Sequence, residues 1–134
     1  RILLAEDNPI NQEVVRGFLK LQGWSCDIAA NGLEAVEAMQ AKPYDVVLMD
    51  LQMPGMDGIE ATRRIRAMNA PVSNTPIIAL TANAMRGDEK RCLEAGMDAY
   101  VAKPIEKEHF FSAIRDAAQH GRAGLSEARD SSAA

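Results

Sequence analysis

Val46-Val47-Leu48-Met49-Asp50 is a run of four apolar residues that stops at an acid. An unbroken apolar run this short, rich in valine, reads as a strand buried on both faces rather than as half of an amphipathic element. The same pattern recurs on either side. Ile2-Leu3-Leu4-Ala5 stops at Glu6-Asp7, Ile77-Ile78-Ala79-Leu80 stops at Thr81, and Tyr100-Val101-Ala102 stops at Lys103-Pro104. Between these runs lie stretches with helical spacing. In open sheets of this kind ligands sit just outside the carboxyl ends of the strands, and each polar group falls at such an end.

The connecting segments carry their own punctuation. Asn8 is expected to cap a first helix with Pro9 at its first position, where a missing N–H costs nothing. That helix should reach about Gln22 and end at Gly23. A second strand is expected from Ser25 to Ala29. Asn31 then caps helix 2, with Glu34 three residues on as a capping-box partner, and Pro43 enforces its end. The loop from Leu51 to Gly58 leads into helix 3, which places Ile59, Thr62, Ile65 and Met68 at helical spacing. Pro71 to Thr75 reads as a loop. Helix 4 is expected between Met85 and Ala95, and helix 5 from near Glu106, with Phe110, Phe111, Ile114 and Ala117 inward.

Five strands alternating with five helices imply a parallel sheet covered on both faces, and right-handed crossovers leave few topologies. The reading is a flavodoxin-like (βα)5 three-layer sandwich with strand order 2-1-3-4-5. That order sets strands 1 and 3 side by side at the switch point, bringing Glu6, Asp7 and Asp50 together. A domain is expected over 1–120. From Gly121 onward the residues are small, polar and charged, so 121–134 is expected to be a flexible linker or tail.

Composition narrows the function. The chain has 134 residues, 47% of them apolar and 25% charged, as expected of one soluble globular domain. Its net charge of −4 gives no electrostatic reason to expect nucleic acid as a partner. No apolar run approaches the length of a membrane span, and no charged-then-apolar leader opens the chain. An abrupt start at a strand is expected of a piece cut from a longer protein. Cys26 and Cys92 form no metal or redox motif and read as buried free thiols, suited to a reducing cytoplasm. His109 and His120 have no ligand partner at useful spacing and read as exposed.

Carboxylates a few ångströms apart repel by about 1 to 4 kcal/mol per pair, a cost that a bound cation removes. An all-oxygen set favours Mg²⁺, which keeps several waters and binds through one or two carboxylates plus a phosphate. Lys103 adds a positive charge on the other side of Asp50. An aspartate so flanked suits phosphoryl transfer, because charge on the phosphoryl oxygens is neutralised from both sides. Carboxylates also serve as nucleophiles that become aspartyl phosphates. Thr81 offers a hydroxyl to a phosphoryl oxygen.

Glu6-Asp7, Leu48-Met49-Asp50, Met53-Pro54-Gly55-Met56-Asp57-Gly58, Ala79-Leu80-Thr81-Ala82 and Lys103-Pro104 together resemble a two-component response-regulator receiver domain. The likeness covers about Arg1 to Ala118. The stretches from Ala5 to Gln12 and from Leu80 to Ala84 are most similar to receivers of hybrid sensor histidine kinases. The resemblance implies that Asp50 is the phosphoacceptor and that Asp7 ligates Mg²⁺ directly, with Glu6 acting mainly through water. It implies that the Gln52 backbone carbonyl completes the protein ligands, and that Lys103, before a cis proline bond, binds the phosphoryl group. Thr81 and Tyr100 form the implied switch pair.

The implied partner is the phosphohistidine of a kinase's dimerisation and phosphotransfer helices or of a histidine phosphotransfer domain. Neither nucleic acid nor direct membrane contact is expected, and the implied location is cytoplasmic, in a parent that the resemblance allows to be membrane-anchored. Such a domain is not a conventional enzyme, although it catalyses its own phosphoryl transfer and slow dephosphorylation. An aspartate-nucleophile phosphatase on a similar sheet is the alternative enzyme. It needs a second aspartate two residues beyond the nucleophile, where this chain has Gln52. A degenerate receiver kept only for interaction fits poorly with the complete acid, lysine and threonine set. One expectation comes from helix 1. Its apolar residues Ile10, Val14, Val15, Phe18, Leu19 and Leu21 spread over roughly 180°, more than the roughly 100° a core contact needs. Its outer margin is therefore expected to dock the helices that carry the donor histidine.

Overall fold

The structure, a computed structural model, describes residues 1–81, 86–102 and 105–133, with backbone alone at 86–89, 120 and 122–133. In chain order the elements are β1 (Ile2–Ala5), α1 (Pro9–Leu21), β2 (Cys26–Ala29), α2 (Gly32–Ala41), β3 (Val46–Asp50) and α3 (Gly58–Arg66). Then follow β4 (Ile77–Thr81), α4 (Arg86–Ala95), β5 (Ala99–Ala102) and α5 (Lys107–Ala133). A 3₁₀ turn at Val72–Asn74 occupies the stretch read as plain loop, and Met68 falls beyond the end of α3. All strands are parallel and the order is β2-β1-β3-β4-β5, as the alternation of elements requires.

The caps explain where the helices begin. Asn8 Oδ1 accepts from the Ile10 N–H at 2.8 Å, with Pro9 filling the first helical position. Asn31 Oδ1 accepts from the Glu34 N–H at 2.8 Å, while Glu34 reaches back to the N–H of Ala30 at 3.2 Å. The return bond thus lands one residue earlier than in a standard capping box. Asp57 caps α3 through the Glu60 N–H at 2.9 Å. α1 closes where Trp24 N–H reaches the Leu19 carbonyl at 3.0 Å across Gly23, which has φ 75°. In α5 the helical path is interrupted at Gly121, φ 63° and ψ −151°, and helical backbone resumes to Ala133.

Successive strand residues point to opposite faces, so the sheet separates two apolar clusters. Leu3, Ala5, Val47, Met49, Ile77 and Ala79 pack with α2, α3 and α4 on one face. Ile2, Leu4, Val46, Leu48, Ile78 and Leu80 pack with α1 and α5 on the other. On that second face Phe110 meets Phe18 edge-on at 6.4 Å, and Phe111 meets Trp24 at 6.0 Å. Cys92 is buried as expected, but Cys26 is only half-buried. β2 is an edge strand, so one flank of it has no neighbouring strand to cover it. Burial still raises the Cys26 thiol above its ordinary pKa, against the lowering effect of Arg16. His109 is exposed, as read, and the His120 side chain lies outside the described residues.

Candidate phosphoryl-accepting site

The register brings the acids together. Ala5 pairs with Met49 and Ala29, so the residues that follow β1 and end β3 leave the sheet side by side. One carboxylate oxygen each from Glu6, Asp7 and Asp50 lies within 4.8 Å of the others. Glu6 and Asp50 are buried, at 1% and 6% exposure, whereas Asp7 faces solvent. Acids this close and this buried repel one another unless a cation or donors compensate them. Two ligands of one Mg²⁺ lie at most about 4.2 Å apart, given bonds of 2.0–2.1 Å. The observed span therefore suits direct ligation by some of the acids, with a water between the ion and the most distant one. The donor set fits the ion.

Local hydrogen bonds fix two of the acids, Glu6 and Asp50. Glu6 Oε1 accepts from Asn11 Nδ2 at 2.9 Å and from the Asn8 N–H at 3.4 Å. Gln12 Nε2 donates to the Glu6 backbone carbonyl at 2.7 Å. Asp50 Oδ1 accepts the Gln52 N–H at 3.1 Å, closing a short turn directly after β3. Beyond it the chain turns through Gly55 at φ 75°, a conformation that other residues adopt reluctantly. Gly58 opens α3 against the end of β3. A Cβ there would collide with the Asp50 carbonyl oxygen and stand 3.0 Å from Met49 Cγ. Only a glycine lets the α3 N-terminus approach this strand so closely.

Thr81 ends β4, is 4% exposed, and pairs across the sheet with Ala102, while Leu80 pairs with Asp50. It lines an open cleft of about 470 Å³ with Gln52, Met53, Pro54, Asp57 and Arg91. Tyr100 stands on β5 opposite Ala79, half-buried against the cluster that α2, α3 and α4 cover. Lys103 and Pro104, with the expected cis bond between them, lie outside the described residues, as does the Ala82–Met85 segment. Glu6, Asp7, Asp50 and Thr81 are thus placed at one edge of the sheet. Asn11 and Gln12, within the stretch from Ala5 to Gln12, carried no expected role and are the residues that hold Glu6. Their signal was positional: the first turn after a cap at Asn8 faces back onto the strand end that bears Glu6.

Comparison with known proteins agrees with this geometry. The family described as response regulator receiver domain matches residues 2–115. Hybrid signal transduction histidine kinase K of Dictyostelium discoideum is 38% identical over 131 residues, covering 93% of this chain and 11% of that protein. The chain therefore spans about a tenth of the length of that curated relative. Among solved structures, the receiver domain of sensor histidine kinase PA1611 from Pseudomonas aeruginosa PAO1 is 44% identical with a TM-score of 0.79, over 85% of this chain and 93% of that one. It is described with a magnesium ion coordinated in its active-site cleft. A further match is the co-crystal of the Saccharomyces cerevisiae histidine phosphotransfer signaling protein Ypd1 with the receiver domain of its downstream response regulator Ssk1. It has 32% identity and a TM-score of 0.76 and covers 86% of each chain.

Proposed function

Since this chain belongs to the response regulator receiver domain family, we propose that Asp50 is its phosphoacceptor, loaded from a phosphohistidine on a helical partner. The observation that carries the reading is the convergence of the Glu6, Asp7 and Asp50 carboxylates at the carboxyl edge of the sheet, within 4.8 Å. A carboxylate oxygen of Asp50 attacks phosphorus, the N–P bond of the phosphohistidine breaks, and the imidazole leaves with the electron pair and takes up a proton. Asp7, Asp50, the Gln52 carbonyl and, through water, Glu6 are the residues that would hold Mg²⁺. The ion would supply positive charge to the phosphoryl oxygens. Lys103, assigned from sequence, neutralises the opposite side, and Thr81 donates its hydroxyl to the bound phosphoryl group.

Thr81 and Tyr100 then act as the switch pair, Thr81 moving towards the phosphoryl oxygens and Tyr100 turning inward behind it. The domain catalyses its own phosphorylation and slow hydrolysis rather than turning over an external substrate. Its parent is a hybrid sensor histidine kinase, and the donor histidine sits on that kinase's dimerisation helices or on a separate histidine phosphotransfer domain. Residues 121–134 link the domain to the rest of that parent. The domain works on the cytoplasmic side. Among the described residues no helix is long and apolar enough to cross a membrane.

The docking surface is the outer margin of α1. There Ile10, Val14 and Leu21 are 74%, 48% and 66% exposed, while Val15 and Leu19 are buried. At 100° per residue the three exposed side chains fall within an arc of about 40°, a narrow stripe suited to another helix.

Acetyl phosphate, or a phosphorylated kinase, supplied with Mg²⁺ tests the site. Label that is acid-stable or base-stable, or that persists undiminished in Asp50→Asn, would overturn the assignment. EDTA should abolish transfer. Asp7→Asn should weaken Mg²⁺ binding, because it removes a formal charge from the ligand set.

A further inference from the structure

Glu6 is the most deeply buried of the three acids, and its carboxylate is held from outside its own loop. Its Oε1 accepts from Asn11 Nδ2 at 2.9 Å, and Asn11 belongs to the first turn of α1 rather than to the strand edge. The other donor to that oxygen, the Asn8 N–H, stands at 3.4 Å, near the limit of a hydrogen bond. Of these two donors Asn11 is the stronger restraint on the direction in which the carboxylate points. Gln12, the next residue, fixes the backbone of Glu6 through its carbonyl at 2.7 Å. Two consecutive amides of one helical turn thus grip one acid, one by its side chain and one by its main chain.

We propose that Asn11 is a positioning residue for the cation site: its amide aims the Glu6 carboxylate at the centre it shares with Asp7 and Asp50. The inference rests on the cation reading of that centre and adds a residue to it. Groups that orient direct ligands typically change metal affinity 10- to 100-fold when removed, and for Glu6, which acts through water, the low end of that range is expected. Asn is also a poorer helix former than Ala, so Asn11→Ala is not expected to weaken the fold through α1 itself.

The test is Mg²⁺ titration followed by amide NMR shifts, with acetyl phosphate phosphorylation measured separately at saturating Mg²⁺. Asn11→Ala should raise the Mg²⁺ dissociation constant by about tenfold, with the melting temperature lowered only by the loss of its bond to the buried Glu6 carboxylate. Its phosphorylation rate at saturating Mg²⁺ should stay within about twofold, because Asn11 does not touch the reacting atoms. Asn8→Ala is the control. It removes the α1 cap but keeps Asn11, so it should lower stability while sparing Mg²⁺ affinity. An unchanged dissociation constant in Asn11→Ala, or equal weakening in both variants, would overturn the role of Asn11 while leaving the Asp50 assignment intact. A parent domain that binds no Mg²⁺ would overturn both.

Discussion

Arg66 and Asp98, 32 residues apart, form a largely buried ion pair at 2.8 Å, at the edge of the sheet opposite the acidic site. The guanidinium also donates to the backbone carbonyls of Gly96, Ser73 and Thr75 at 2.7 to 2.9 Å, and Asp98 Oδ2 accepts the N–H of Ile77 at 2.9 Å. One side chain thereby ties the end of α3 to the 3₁₀ turn, the start of β4 and the turn before β5. Arg66→Met would leave a buried carboxylate without its counter-charge, a change that typically costs about 3–5 kcal/mol. Urea denaturation should show a loss of that order. Asp98→Asn, which keeps an acceptor for the Ile77 N–H, should lose less. A loss below about 1 kcal/mol in Arg66→Met would mean that water reaches the pair.

A second tie is pH-dependent. Tyr44 Oη donates to Asp27 Oδ2 at 2.7 Å, and Lys42 stands 3.3 Å from the same oxygen. Burial, and then the bond to Asp27, push the Tyr44 phenol up to about 12. The folded chain keeps this proton over a range in which the unfolded chain, with its phenol near 10, loses it. Stability should therefore be intact below pH 10 and fall as pH rises towards 12. Asp27 shifts downward, through Tyr44 first and Lys42 second, so its contribution is present at neutral pH and lost in acid as the carboxylate protonates. An ultraviolet titration of Tyr44→Phe against the parent chain isolates the phenol. A tyrosine titrating at its ordinary value would contradict the bond.

For the switch, phosphorylation would replace the Asp50 carboxylate with an acyl phosphate, which carries about −1.5 to −2 charge and strong acceptor oxygens. A ligand shifts a conformational equilibrium only by its differential affinity for the two states. Thr81→Ala should accordingly accept phosphate but show smaller amide shifts around α4 and β5 when beryllofluoride is added. A shift pattern indistinguishable from that of the parent domain would separate Thr81 from the switch.

For docking, Ile10→Glu and Val14→Glu alter exposed positions, where substitutions usually change stability by no more than about 0.5 kcal/mol. Transfer from the phosphohistidine partner should slow markedly, while labelling by acetyl phosphate stays intact because that small donor needs no surface. If both rates fall together, or neither does, the stripe on α1 is not the docking face.

The sheet was legible because its strands are continuous apolar runs ending in polar groups, and the acids followed from strand order. The caps at Asn8 and Asn31 were legible because side-chain capping is local in sequence. Cys26 was misread as buried because an apolar neighbourhood does not reveal which strand lies at an edge. Arg66 and Asp98 could not be paired in advance. Each looks like an ordinary surface charge until α3 and the turn before β5 are placed together in space. The division of α1 into a buried row at Val15 and Leu19 and an exposed row at Ile10 and Val14 likewise needed the position of α5.

The two apolar clusters share the sheet but lie on opposite sides of it, so the sheet acts as a partition between traffic in and traffic out. Residues of α1 and α5 line one compartment, while Tyr100, α3 and α4 border the other. A rearrangement begun at Thr81 and passed to Tyr100 would spread among side chains on the face of the sheet away from α1. The surface that receives the donor could then keep its shape while the opposite surface changes, so that a loaded domain still fits the partner that loaded it.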